Sequence, residues 1–303
     1  MDSEQHQGRN FGTSFAAKRT AIMDAFELDG AAEAVRVLVP TGYGLNCEAE
    51  SAAAFELLGA QVEQVHVSDL LAEPGRLSQA SILVFIGGFS FGDHVASGRV
   101  FANRMRFGLG RELARFIADG GLAVGMCNGF QVMTKLGLLP GALGEASPEA
   151  LAPQQVSIVG NDRLGYRNAW VRMRVDPESP CVWTRGVESI ESPSRHGEGK
   201  LVFASDAVRD QLFAERRVPV RYVDAQGEAT SEWPANPNGS PDGAAGLCDA
   251  SGRVFGLMPH PEAFLYPENH PRWLARRFGA EARPAFGLGL QLYANGVRAA
   301  TQT

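Results

Sequence analysis

Cys127 stands inside Gly125-Met126-Cys127-Asn128-Gly129-Phe130-Gln131. The apolar run Gly121-Leu122-Ala123-Val124 precedes it, and a helical pattern from Phe130 to Leu136 follows. A cysteine between a strand and a helix, with glycines close on both sides, is how a sharp turn presents a nucleophile. The helix beyond it aims unpaired N–H groups and a positive dipole end at the sulfur, which favours the thiolate. The Asn128 N–H is placed to stabilise an oxyanion. Taken alone, Cys127 reads equally well as a buried structural cysteine. A nucleophilic cysteine also needs a base and a carboxylate to orient it. Far downstream, the strand-like Val254-Phe255-Gly256-Leu257-Met258 runs into Pro259-His260-Pro261-Glu262. In an extended chain alternate side chains share a side. His260 and Glu262 are therefore expected on one side, with Pro261 withholding a sheet donor.

The elements that must position these groups follow a βαβ rhythm. Residues 34–40 read as a first strand, leading into Thr41-Gly42-Tyr43-Gly44-Leu45-Asn46-Cys47. Gly42 and Gly44 suggest a dinucleotide fingerprint, but Cys47 stands where its third glycine belongs. A helix is expected over 48–58, stopped at Gly59, then a strand over 62–67. The continuous apolar run 81–86 reads as a central parallel strand covered on both faces. It ends at Gly87-Gly88-Phe89-Ser90, and ligands of open α/β sheets bind beyond such strand ends. A helix is expected over 100–118. A strand alternation covers 170–175, and 233–240 reads as a shaped loop pinned by prolines and asparagines. The segment 191–200 holds a second His/Glu cluster, His196-Gly197-Glu198, whose plain reading is a solvated turn. His196 is the rival for the base; His260 is preferred because its carboxylate lies two residues away on the same side. Residues 1–13 are polar, and 14–28 fit a short packing helix. The order of elements predicts one α/β domain, a mostly parallel sheet flanked by helices.

The 303 residues suffice for a sizeable core, with 45% hydrophobic and 20% charged residues. A net charge of −6 gives no reason to expect nucleic acid or an anionic membrane. No apolar run approaches the roughly 20 residues that span a bilayer, and no secretory signal is apparent at the N-terminus. The four cysteines, Cys47, Cys127, Cys181 and Cys248, are scattered without a CxxC pair. That argues against zinc and a disulfide framework, and suits a reducing cytoplasm.

The cysteine elbow and the His-Pro-Glu resemble those of the class I (triad) glutamine amidotransferases. Asn128 and Phe130, Gly87-Gly88-Phe89-Ser90-Phe91-Gly92-Asp93, His196-Gly197-Glu198-Gly199-Lys200 and Asn236-Pro237-Asn238-Gly239-Ser240 narrow the resemblance to the glutaminase component of phosphoribosylformylglycinamidine synthases. It covers roughly residues 35–264. Several separated motifs in one order are specific where each alone is weak. The resemblance implies a flavodoxin-like sheet, with residues 1–33 as an extension and 34–303 as the amidotransferase domain, including a closing C-terminal helix. It implies Cys127 as nucleophile, His260 as base and Glu262 as its orienting carboxylate. Asn128 N–H and a donor from Gly88 or Phe89 would hold the oxyanion, and Gln131 would shape the glutamine pocket. It implies no cofactor or metal in this chain; ATP and Mg would belong to a synthetase partner, with a small bridging subunit as an optional third component. Gly165-Tyr166-Arg167 departs from the family's pattern. Two other functions fit the same features: an amidotransferase serving another synthetase, and a non-catalytic regulatory subunit.

Overall fold

A computed structural model describes residues 15–144, 146–278 and 286–302. Helix α1 (Phe15–Ala25) precedes strand β1 (Arg36–Thr41). Then come α2 (Glu48–Glu56), β2 (Gln61–His66), α3 (Val67–Ala72), β3 (Ile82–Phe85), α4 (Arg99–Ala118), β4 (Leu122–Met126) and α5 (Asn128–Leu136). The second half brings β5 (Val156–Gly160), β6 (Arg167–Val175), β7 (Ser189–His196), β8 (Glu198–Phe203), α6 (Asp206–Ala214) and β9 (Val220–Tyr222). It ends with β10 (Gly246–Cys248), β11 (Val254–Leu257), α7 (Trp273–Phe278) and α8 (Leu290–Ala300).

The central sheet runs in the order β10-β11-β4-β3-β1-β2. Its neighbours are parallel, save β10, which runs antiparallel to β11. Alternation along the inner strands divides the core into two layers. Val37, Val39, Ile82, Val84, Leu122 and Val124 pack on one face with α2 and α8 residues such as Phe55 and Tyr293. Leu38, Leu83, Phe85 and Ala123 pack on the other with α4 and α5 residues such as Met105 and Met133. Burial on both faces is what lets these strands read as unbroken apolar runs. No described helix is long and apolar enough to cross a membrane.

Two smaller sheets were not legible as separate units: the antiparallel β7-β6-β9 and the pair β5-β8. They correct the plain reading of 191–200 as a solvated turn. Ser189–His196 pairs along β6, and Glu198–Phe203 pairs along β5. The loop 233–240 is pinned as expected from its asparagines. Asn236 Nδ2 donates to Ser240 O at 2.9 Å, and Asn238 Nδ2 donates to the Tyr222 hydroxyl at 3.1 Å.

The expected helix over 14–28 is shorter, Phe15–Ala25. Leu28 N–H turns back to Met23 O, and Glu27 takes a φ of +53°. Ile22 is buried, and Met23, Phe26 and Leu28 pack against the core. The Arg298 guanidinium in α8 donates to Phe26 O at 2.6 Å. The expectation for residues 1–13 lies outside the described residues.

Candidate active site

Three adjacent parallel strands deliver the site. Strand β4 lies between β3 and β11, with Gly125 opposite both Phe85 and Gly256 in register. Their C-terminal ends therefore release Gly87-Gly88-Phe89, Cys127 and His260 at one edge of the sheet, where α/β sheets hold their ligands.

Cys127 itself takes the strained turn, with φ +52° and ψ −109°. The flanking Gly125 and Gly129 are not at positive φ. Their role is close approach: a Cβ at Gly129 would lie 1.9 Å from Phe85 O, so α5 could not pack onto β3. A non-glycine residue at positive φ is costly and persists where the surroundings over-determine it. Cys127 N–H is held by Leu257 O at 2.8 Å, and Cys127 O accepts from Gln131 N at 3.1 Å. The thiol is buried and lies 3.7 Å from Arg195 O, to which it donates.

His260 and Glu262 are both buried, and His260 Nδ1 lies 2.5 Å from Glu262 Oε1. The reason differs from the strand alternation expected. Strand β11 ends at Leu257, and Pro261–Ala263 form a 3₁₀ turn that folds the carboxylate back under the ring. His260 N–H is anchored on Pro193 O at 2.8 Å. The second carboxylate oxygen, Glu262 Oε2, accepts from the Tyr293 hydroxyl of α8 at 3.3 Å. Burial opposes charge on His260, but the Glu262 carboxylate and then the Cys127 thiol more than offset it, raising its pKa well above the ordinary value. His260 Nε2 is buried without a hydrogen bond in this geometry. The pair can accept and return a proton beside a thiol.

His196, the rival base, is held differently. Its ring nitrogens face the Ser194 hydroxyl at 2.8 Å and Asn161 Oδ1 at 3.3 Å. Burial, with His260 nearby, pushes its pKa down to about 3. It is a neutral wall of the site.

Asn128 and Gln131 knit the elbow helix to its surroundings. Asn128 Oδ1 accepts from Ser90 N at 3.3 Å, and its Nδ2 donates to Asp93 Oδ1 at 3.2 Å and Gln131 Oε1 at 2.8 Å. Gln131 Nε2 donates to Glu198 O at 2.7 Å. Asn128 N–H, at the first position of α5, has no acceptor within the helix. The two loop donors are unequal. Phe89 N–H is already given to Gly44 O at 2.9 Å, whereas Gly88 N–H has no acceptor among the described residues. Gly88 has φ +133°, and a Cβ there would lie 2.6 Å from Asn46 N, so only glycine fits beneath the first loop.

A cavity of about 170 Å³ opens above Cys127, walled by Gly88, Phe89, Asp93, Gln131, Tyr166 and Glu198 among others. Sequence reasoning gave no site role to Tyr166, Asp93 or Tyr293. Tyr166 sits in the departure Gly165-Tyr166-Arg167, and its ring faces Phe89 at 6.3 Å across the mouth. Its side chain and that of Phe89 are largely exposed. Asp93 follows the Gly-Gly-Phe-Ser loop closely enough for that loop to have signalled it. Nothing local in the sequence marks Tyr293.

Residues 34–298 match the family of CobB/CobQ-like glutamine amidotransferase domains. The chain is 39% identical over 268 residues to the phosphoribosylformylglycinamidine synthase subunit PurQ of Dehalococcoides mccartyi, covering 88% of this chain and 98% of that one. It is 34% identical over 242 residues to the human phosphoribosylformylglycinamidine synthase, covering 77% of this chain and 18% of that far longer one. Among solved structures, PurLQS from Thermotoga maritima matches with a TM-score of 0.62 at 25% identity, over 87% of this chain and 98% of the matched one. Strand order, elbow and matched span agree: the chain belongs to the CobB/CobQ-like glutamine amidotransferase domain family.

Proposed function

We propose that the chain is the glutaminase subunit of a phosphoribosylformylglycinamidine synthase, working through Cys127, His260 and Glu262. The observation that carries the reading is the buried Glu262–His260 pair at 2.5 Å, beside a cysteine held at a strained elbow. A relative of nearly the same length bears that subunit name.

His260 Nε2 takes the Cys127 thiol proton, and Sγ attacks the side-chain amide carbon of glutamine. Glu262 accepts from Nδ1–H and stabilises the imidazolium that forms. The oxyanion is held by Asn128 N–H and by Gly88 N–H, the free one of the two loop donors. As the C–N bond breaks, His260 returns the proton to the nitrogen, and ammonia leaves. A γ-glutamyl thioester remains on Cys127. His260 then takes a proton from water, whose oxygen attacks the thioester. The C–S bond breaks, the thiol regains its proton, and glutamate departs. Gln131 shapes the pocket, and Tyr166 covers its mouth opposite Phe89.

The ammonia passes to a synthetase subunit, where ATP and Mg²⁺ drive conversion of formylglycinamide ribonucleotide to the amidine. A small bridging subunit is an optional part of that assembly. Residues 1–33 form an extension to a domain over 34–303. The reaction belongs in the cytoplasm, where four free thiols persist.

The test is glutamine-dependent amidine formation with the synthetase partner, ATP and formylglycinamide ribonucleotide, comparing wild type with Cys127→Ala. The variant should lose on the order of 10⁴-fold or more of the glutamine-dependent rate while ammonia still supports synthesis. Glutaminase activity retained in Cys127→Ala would remove Cys127 from its role. Failure of wild type, with ammonia still effective, would mean that the glutaminase assignment or the partner is wrong, and other acceptors would be tested next.

A further inference from the structure

The proposed chemistry leaves one thiol beside the dyad unused. Cys47 ends the first loop as the residue before α2, with φ +73°. Its sulfur, an imidazole nitrogen of His260 and a carboxylate oxygen of Glu262 all lie within 4.8 Å of one another. Gly87 packs against this group: a Cβ there would meet His260 Cε1 at 2.9 Å and Cys47 Sγ at 3.5 Å. The cluster is buried on the His260 and Glu262 side and half-open at Cys47, which gives an ion a way in. A Cβ at Gly87 would also lie 3.5 Å from His260 Nδ1, the nitrogen that faces Glu262. A thiol, an imidazole and a carboxylate in one small space form the donor set of a zinc site with an open fourth position.

We propose that Cys47, His260 and Glu262 form an inhibitory site for a thiophilic divalent cation of the zinc class. The site is three-ligand, with water completing the tetrahedron. The ion replaces the Cys47 thiol proton, which at rest is donated to Asn46 Oδ1 at 3.3 Å. Binding is inhibitory because it takes the imidazole nitrogen that faces Glu262. Through Nδ1 the ion displaces the proton shared with Glu262. Tyr293 holds the other oxygen of Glu262, the kind of outer hydrogen bond that orients a ligating carboxylate. Cys47 thus becomes the handle by which a metal can arrest a triad to which it does not belong.

The inhibition half of this inference rests on the glutaminase reading; the binding half does not, and the experiment separates them. Co²⁺ is titrated into full-length Cys127→Ala, and the thiolate-to-cobalt absorption in the near ultraviolet is followed. The band should appear in Cys127→Ala and vanish in Cys47→Ser/Cys127→Ala and in Cys47→Ala/Cys127→Ala. Its failure to appear in Cys127→Ala, or its survival in both double variants, would overturn the site. Using the chain with its synthetase partner, Zn²⁺ inhibition of glutamine hydrolysis is then measured relative to each variant's own uninhibited rate. Cys47→Ser should need about tenfold or more Zn²⁺ for half inhibition. Equal sensitivity in wild type and Cys47→Ser would show that the ion acts through Cys127 alone and would refute the inhibitory role.

Discussion

The chain carries the same short motif twice, His196-Gly197-Glu198 and His260-Pro261-Glu262, and folds it to opposite ends. Both histidines are buried. At 260–262 a 3₁₀ turn brings carboxylate and ring together at 2.5 Å. At 196–198 the chain leaves one small sheet for another, since β7 pairs with β6 and β8 with β5. Glu198 contributes its backbone carbonyl to Gln131, and the His196 ring turns to Ser194 and Asn161. One histidine is driven towards the charged form, the other held neutral. Two residues of separation bring an imidazole and a carboxylate together only where the backbone bends them towards each other.

That contrast can be broken by experiment. The largest effect should come from the bases themselves. His260→Gln should lower the rate of glutamine hydrolysis on the order of 10³-fold, while His196→Gln leaves most of it. Comparable losses would mean that the two rings share the work. Next are the carboxylates: Glu262→Gln should cost about 10²-fold in kcat, less than loss of His260, and Glu198→Gln far less. A larger loss at Glu198 would reverse the comparison. Tyr293→Phe removes one hydrogen bond from Glu262 and should lower kcat about fivefold with KM little changed. A KM effect instead would show that Tyr293 governs binding.

The smallest effect concerns stability. Folded His196 has its pKa pushed to about 3, against 6.5 for an unconstrained histidine. Between these values the unfolded chain binds the extra proton. The stabilising contribution is therefore complete above pH 6.5 and is lost as pH falls, by up to about 1.4 kcal/mol per pH unit. Urea unfolding at pH 7 and pH 5 should show a shallower acid loss in His196→Gln; an unchanged slope would mean that other groups carry it.

Much of this was legible in advance because it depends on local pattern. The inner strands read as strands since burial on both faces leaves no polar interruption. The elbow was visible because tight packing of α5 on β3 demands glycine at 129. The small sheets were not: alternation marks a strand over 170–175, but its partners lie far along the chain. The site's supporting groups were hidden for the same reason. Tyr293 lies 31 residues from Glu262, and only the packing of α8 unites them. The rejection of a nucleotide loop at Gly42-Tyr43-Gly44 has a positive counterpart. That loop clamps the next one, through Asn46 N to Gly87 O at 3.0 Å and Phe89 N to Gly44 O.

The pairing of β11 with β4 has a kinetic consequence. Leu257 stands opposite Met126, so a slip of one residue would turn the alternate side chains of β11 to the wrong face. These strands are separated by more of the chain than any other neighbours in the central sheet, and contacts of such span are slow to close. Recovery of glutamine hydrolysis after dilution from denaturant therefore serves as a clock for that single event. The far-ultraviolet signal of the helices should return first, and activity only when the last parallel strand finds its place.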